Sequence, residues 1–338
     1  MRIAAFLRIC LAGLSLLIAN PAAALDVQEL RSPGGAGFWL VEEPSIPIVS
    51  VNISFAGGAR LDPEGKEGLS NLFAGLLGEG AGDLDAIGFS EARDAISARF
   101  GFGANSDEVS VSARMLSDAV EPSVDLLALA LTAPRFDPEP LERTRAQVLA
   151  GIAESGEDPS AVASRTWFSR AFPEHSYGRP NSGTAESVAA LSRDDLLAAH
   201  SRLLTRANAR IAIVGAIGAE SAGQIVDKLM AGLPEGEPLP ARRADTPPPP
   251  GLTVVSRDVP QSAAIFGQAG LDFDDPDFMA AYVMNYVLGG GGFVSRLMTE
   301  VREKRGLAYG VTSYLHNLDE AAIYLGRVQT ENARIAET

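Results

Sequence analysis

The sequence predicts an α+β protein built from two similar domains. Short apolar strands and amphipathic helices are interspersed over residues 37–233, and a Pro-rich segment at residues 235–251 interrupts them. A strand and helix order like that of the first domain then resumes at residue 252, which suggests an internal repeat. The chain has 338 residues, 46% of them apolar, so it can build two cores of ordinary size.

The N-terminus has the features of a secretory signal peptide over residues 1–24. Two arginines precede a short apolar run, residues 9–19, and small residues at 22–24 form a cleavage site. Cys10, the only cysteine, lies inside this segment, so the mature chain would contain no disulfide. We expect a periplasmic or secreted protein with no stable membrane insertion after cleavage. An uncleaved N-terminal anchor is the alternative.

The charge balance argues against two classes of partner. The formal net charge is −15 at pH 7. A protein this acidic is not expected to bind nucleic acid or anionic lipid through its overall charge.

Periodicity predicts the elements of the first domain, residues 25–234. Alternating or continuous apolar runs of strand length predict strands, and apolar residues at helical spacing predict helices. Ser90 and Ser192 are the expected N-caps of two of the helices. The predicted strands are Gly37–Glu42, Ile48–Phe55, Glu108–Met115 and Asn208–Ala216, and the predicted helices are Leu69–Leu77, Ser90–Phe100, Asp118–Leu131, Pro140–Glu157, Ala161–Phe172, Ser192–Leu204 and Ala219–Leu233.

Residues 252–338 form the predicted second domain, after the linker at residues 235–251. Asp275 is expected to cap a helix whose first residue is Pro276. The predicted strands are Leu252–Ser256, Ala263–Gly267 and Ala321–Arg327, and the predicted helix is Pro276–Leu288.

A strand, a Gly-Gly-Ala-Arg turn and a Gly-Leu helix start follow one another in residues 54–80, SFAGGARLDPEGKEGLSNLFAGLLGEG. This pattern resembles the M16 (insulinase- and pitrilysin-like) peptidases, whose active members carry His-x-x-Glu-His on this helix. There, two histidines bind zinc and the glutamate activates the metal-bound water. The corresponding residues here are Asn71, Ala74 and Gly75, so the resemblance implies the fold without the zinc site.

Two further segments bear on the metal site. The resemblance places a third zinc ligand, a glutamate, on the helix Pro140–Glu157, but Ala150 and Gly151 stand there. His175 begins HSYGRPNSGTAESVAAL, which is similar to another family segment. We interpret His175 as a structural residue of a turn, because no second histidine, cysteine or patterned carboxylate accompanies it.

Residues 289–311, GGGGFVSRLMTEVREKRGLAYGV, are similar to the family's C-terminal signature. The resemblance implies that Arg302 and Tyr309, seven residues apart, complete an active site from across a cavity. We expect Arg302 to close a helix and Tyr309 to open a strand. The glycines Gly289, Gly290, Gly291 and Gly292 are candidates for substrate contact, and a tight turn is the equal alternative.

The resemblance implies two similar α+β domains of the LuxS/MPP-like metallohydrolase fold, the second incomplete at its C-terminus. We expect an exported, zinc-less subunit that is inactive alone and pairs with a zinc-bearing M16 homologue. It would bind peptide substrates and supply Arg302 and Tyr309 to the shared site. The alternative is a non-catalytic structural or peptide-holding protein. The sequence offers no Ser-His-Asp or Cys-His set for an independent hydrolase.

Overall fold

The computed structural model describes residues 26–239, 244 and 251–338. Helices and strands are mixed throughout this part of the chain, which confirms the predicted α+β class. The predicted signal peptide and most of the Pro-rich segment after residue 239 lie outside the described residues. No helix among the residues described is long and apolar enough to cross a membrane.

The first domain contains a six-stranded sheet in the order β1-β2-β6-β3-β5-β4. Its pairs are antiparallel except for β2 and β6, which run parallel. Alternate residues of β3 and β5 are buried, so one face of the sheet supplies the core. The strands are β1 (Gln28–Arg31), β2 (Gly37–Glu42), β3 (Ile48–Ala56), β4 (Arg99–Ala104), β5 (Glu108–Leu116) and β6 (Ala209–Gly215).

In the described part of the first domain, eight α-helices accompany this sheet, and several of them pack on its apolar face. Leu72 and Phe73 of the first helix and Val226 and Leu229 of the eighth are fully buried in the same core as the strands. The helices are α1 (Leu69–Leu76), α2 (Ala86–Ala95), α3 (Val120–Thr132), α4 (Pro138–Glu157), α5 (Pro159–Ala171), α6 (Ala185–Ala190), α7 (Arg193–Leu203) and α8 (Ala219–Met230). Ser192 caps α7, as predicted, by accepting a hydrogen bond from the Asp195 N–H.

The prediction of one helix over Ser90–Phe100 was wrong. Helix α2 begins earlier, because Asp85 caps it by accepting a hydrogen bond from the Gly88 N–H. It ends before Ser97, whose positive φ of 52° breaks the helix. Phe100 lies instead in β4, which pairs with β5 across its whole length. Tertiary pairing therefore overrides the helical spacing of the apolar residues.

The second domain contains a three-stranded antiparallel sheet in the order β7-β9-β8. The predicted strand Leu252–Ser256 does not form, and the Leu252 side chain is 90% exposed. The helix after β7 starts later than predicted, with Asp277 rather than Asp275 at its N-cap position, and it continues as a π-helix over Tyr286–Gly290. The elements are β7 (Gln261–Ala269), α9 (Phe278–Asn285), β8 (Ala308–Asn317) and β9 (Ala322–Glu331).

Helix α5 joins the two sheets. Trp167 and Phe172 of this segment are buried in one cluster with Ile323 and Leu325 of β9. One face of the second sheet therefore packs directly on a helix of the first domain, and the two domains share a small core.

Candidate functional site

Helix α1 carries the three positions at which active M16 relatives hold zinc. Ala74 is buried, with 3% of its surface exposed, and Gly75 is exposed. A Cβ at Gly75 would lie 3.2 Å from Thr144 Cγ2 of α4, so this end of α1 packs closely on its neighbour. The described residues contain no group of three His, Cys, Asp or Glu side chains that could hold a metal ion. Ala74 and Gly75 have no side-chain donor atom, and the amide of Asn71 is a poor zinc ligand beside imidazole.

The start of α1 is organised by Asp62, which sequence reasoning did not single out. Its carboxylate accepts hydrogen bonds from the N–H groups of Gly68 and Ser70, both at 3.1 Å, and from Ser70 Oγ at 2.6 Å. Burial raises the pKa of Asp62 to about 6 despite these bonds. Gly68, with φ of 90°, allows the chain to turn into the helix.

The structure brings Arg302 and Tyr309 together. The Cζ atom of Arg302 lies 5.0 Å from the centre of the Tyr309 ring and 4.6 Å from that of Phe293. Both distances are within the range of a cation–π contact. The Tyr309 side chain is 89% exposed, so its hydroxyl is accessible to a ligand.

Local backbone geometry explains how residues seven apart meet. Arg302 lies in the last turn of a π-helix over Met298–Glu303, and Tyr309 is the second residue of β8. Between them, Gly306 adopts a φ of 58°, and the Leu307 N–H donates to the Val301 carbonyl at 2.9 Å. This tight turn places the helix end beside the strand start, as the sequence predicted.

The four glycines of residues 289–292 have different environments. A Cβ at Gly289 would lie 2.3 Å from Ser313 Oγ, so this residue packs tightly against β8. Gly292, in contrast, has a φ of 61° and open space around it. The segment leads directly into Phe293, which contacts Arg302. Gly289 is thus a packing position and Gly292 a turn position beside the Arg302–Tyr309 pair.

His175 belongs to a network that connects the two domains. Its Nδ1 accepts a hydrogen bond from the Tyr177 N–H at 3.2 Å, so Nε2 carries the proton and donates to Glu320 at 2.8 Å. Arg60 donates to the other oxygen of Glu320 at 2.5 Å, and Tyr177 Oη donates to Asp107 at 2.5 Å. Burial raises the pKa of the Tyr177 hydroxyl above its usual value, and the hydrogen bond to Asp107 adds to the increase. These contacts place His175 in a structural ion network.

Two of the cavities that border helix α5 bear on the candidate site. One, of about 640 Å³, opens beside the turn at residues 105–108 that follows β4 and beside residues 316–319 of the second domain. The other, of about 750 Å³, contains Arg302 and Tyr309. Asn71, Ala74 and Gly75 line neither cavity. The structure therefore does not bring the degenerate zinc positions to the Arg302–Tyr309 pair.

Comparison with known proteins decides the family. Residues 38–185 match the family model described as insulinase (peptidase family M16), and residues 190–338 match that of the peptidase M16 inactive domain. The crystal structure of a peptidase M16 inactive domain from Pseudomonas fluorescens is 31% identical, with a TM-score of 0.83. The match covers 91% of this chain and 75% of that one. The chain belongs to the M16 peptidase family.

Curated M16 relatives carry two kinds of name. A non-peptidase homologue from Helicobacter pylori is 26% identical over 272 residues, 80% of this chain. An uncharacterized zinc protease from Mycobacterium tuberculosis is 29% identical over 301 residues, 88% of this chain. The chain spans 62% of the length of the first relative and 68% of the second. The inactive-domain match over residues 190–338 makes the chain an M16 homologue of the inactive type.

Proposed function

We propose that this chain is the zinc-less subunit of an exported, heteromeric M16 peptidase. It binds extended peptides and contributes Arg302 and Tyr309 to an active site whose zinc belongs to a partner M16 subunit. The contact between Arg302 and Tyr309 in one cavity carries the proposal, together with the exposure of the tyrosine. Export rests on the signal-like sequence at residues 1–24.

The chemistry of the pair suits peptide hydrolysis. A guanidinium donates a planar fork of hydrogen bonds, which can hold a peptide carbonyl or carboxylate. The Tyr309 hydroxyl can donate to the oxyanion that forms when water attacks a peptide bond. The zinc and the water-activating glutamate have to come from another chain, because Asn71, Ala74 and Gly75 provide no ligand.

An outer strand offers a place for an extended peptide. Strand β4 lies at the end of the six-stranded sheet and has no strand on its outer side among the described residues. Such an edge can pair with the backbone of an extended segment. The turn after β4, residues 105–108, lines the 640 Å³ cavity, so a peptide along β4 leads towards the gap between the domains.

A non-catalytic, peptide-holding function is the second candidate. The match to the inactive-domain model and the name of the Helicobacter pylori relative favour it. In that case Arg302 and Tyr309 contact peptide without chemistry. The two candidates share peptide binding and differ in whether the assembly cleaves what it binds.

Reconstitution distinguishes the two candidates. The full-length protein is mixed with a zinc-bearing M16 homologue from the same organism, and cleavage of quenched fluorescent peptides is followed for each protein and for the mixture. The catalytic proposal expects cleavage by the mixture alone and zinc, by elemental analysis, in the homologue alone. Peptide binding with no cleavage by the mixture supports the holding function. Near one zinc per chain in this protein would contradict both.

A further inference from the structure

The cavity that contains Arg302 and Tyr309 is positively charged in an acidic protein. It lies between helix α5 and the second sheet and has a volume of about 750 Å³. Among the described residues, Arg302, Arg327 and Arg334 line it, against a single carboxylate, Glu331. The whole chain has a net charge of −15, so the arginines give this cavity a positive charge in a protein that is negative overall.

Two of the three guanidiniums have free hydrogen-bond donors. The guanidinium groups of Arg302 and Arg327 make no hydrogen bond or ion pair with any described residue. Arg302 lies over the rings of Phe293 and Tyr309, and Arg327 lies 5.9 Å from the Tyr314 ring centre. Arg334 differs, since it donates to the carbonyls of Gly306 and Arg305 at 2.7 and 3.0 Å. The donors of Arg302 and Arg327 therefore remain available for a ligand.

Thr312, which also lines this cavity, carries a buried hydroxyl. Thr312 and Arg327 face each other across the β8–β9 pair, and both line the cavity. The Thr312 Oγ1 atom is buried and has no hydrogen-bond partner among the described residues. A buried polar group without a partner carries a desolvation cost, and a ligand oxygen that met this hydroxyl after a rotation of the Thr312 side chain would offset it.

We propose that this cavity binds a peptide carboxylate, held by Arg327 and Thr312 beside the Arg302–Tyr309 pair. Arginine forks match the planar, two-oxygen geometry of a carboxylate, and such charge-assisted bonds are among the strongest in proteins. The carboxylate is either the C-terminus of the peptide or an aspartate or glutamate side chain. The proposal rests on the peptide binding of the proposed function and adds the substrate class. Ser160 and Ser164 of α5 form the opposite wall, where small side chains leave room for a peptide backbone.

The test uses four fluorescent ten-residue peptides of alanine and serine. One has two internal glutamates and a free C-terminus, one has the same glutamates and a C-terminal amide, one has glutamines and a free C-terminus, and one has neither carboxylate. Binding to the full-length chain alone is measured by fluorescence anisotropy. The doubly acidic peptide should bind at least about tenfold more tightly than the neutral one. The two intermediate peptides identify which carboxylate is recognised.

Three variants separate this site from general charge. Arg327→Gln should weaken binding of the recognised carboxylate peptide about tenfold and that of the neutral peptide less than twofold. Thr312→Val should weaken it about threefold while raising the melting temperature, because it removes an unpaired buried hydroxyl. Arg305→Gln is the control: it removes the same charge close by, at an exposed side chain that does not line the cavity.

Several results would overturn the inference. Equal affinity for all four peptides would leave peptide binding intact and remove the carboxylate specificity. An equal effect of Arg305→Gln and Arg327→Gln would reduce the specificity to general charge. If no peptide binds at millimolar concentration, both the inference and the peptide binding of this chain alone fail. Cleavage by the mixed subunits is a separate measurement, so the catalytic proposal is judged independently.

Discussion

Arg60 in the first domain donates a 2.5 Å hydrogen bond to Glu320 in the second domain, 260 positions later in the chain. Only 8% of each side chain is exposed, so the bond is screened little by solvent. Glu320 also accepts from His175, and its backbone N–H donates to Tyr177 Oη at 3.0 Å. The turn between β8 and β9 is thus anchored to the first domain beside the 640 Å³ cavity.

Removing this anchor should destabilise the protein. Glu320→Gln leaves the buried Arg60 without its closest carboxylate, and we expect the free energy of unfolding to fall by about 2–3 kcal/mol. Urea unfolding of the purified variant measures the change. Glu300→Gln is the control, because it removes an exposed carboxylate paired with Lys304 and Arg305 and should cost less than about 1 kcal/mol. Equal effects of the two substitutions would show that the network adds no special stability.

Asp62 should give the protein a distinct pH dependence. Its pKa is raised by burial to about 6, so between about pH 4 and 6 the folded state binds more protons than the unfolded state. Its contribution therefore favours folding at low pH and is lost as the pH rises through 6. Lowering the pH from 7 to 5 should stabilise the wild-type protein by about 1 kcal/mol relative to Asp62→Asn. Urea unfolding of both proteins at the two pH values measures this difference, and a difference that is independent of pH would contradict it.

The glycines at the two ends of the Gly-rich segment should respond differently to alanine. Gly289→Ala pushes a methyl group against the Ser313 backbone and hydroxyl, and should cost about 2–3 kcal/mol of stability. Gly292→Ala meets open space, and its positive φ alone should cost about 1 kcal/mol. Chemical unfolding of the two variants side by side gives the comparison. A larger loss of stability for Gly292→Ala than for Gly289→Ala would contradict the tight packing described at Gly289.

Tyr309→Phe tests the catalytic part of the proposed function in the reconstituted pair. It removes an exposed hydroxyl and keeps the ring beside Arg302, so folding and subunit association should be unchanged. Loss of one oxyanion donor should lower kcat by about 100- to 1000-fold. Arg302→Lys keeps the charge, loses the planar fork and should act mainly on KM. Tyr282→Phe, on α9 with a half-exposed ring, is the matched control. Wild-type cleavage by both variants would leave the holding function as the better account.

Prediction from sequence succeeded where local patterns and burial agree. The alternation in β3 and β5 reflects one buried face of the sheet. Ser192 caps α7 because its hydroxyl can accept a hydrogen bond from a backbone N–H of the first turn. It failed where two patterns compete. Phe100 has helical spacing from earlier apolar residues, but β5 offers it backbone pairing, so it lies in a strand rather than a helix. Leu252–Ser256 has strand composition but pairs with none of the strands in the described residues, so it stays irregular.

At the candidate site, too, residue identity predicted some features and tertiary structure decided others. The family resemblance selected Arg302 and Tyr309 as candidates, and residue identity argued against zinc ligands at Asn71, Ala74 and Gly75, because side-chain chemistry is carried by residue identity. Tertiary structure alone decided that Arg302 is held between Phe293 and Tyr309, and that Thr312 and Arg327 share the same cavity. Tertiary structure alone also joined Arg60 to Glu320. Contacts between residues far apart in sequence depend on how sheets and helices pack, and no local pattern encodes them.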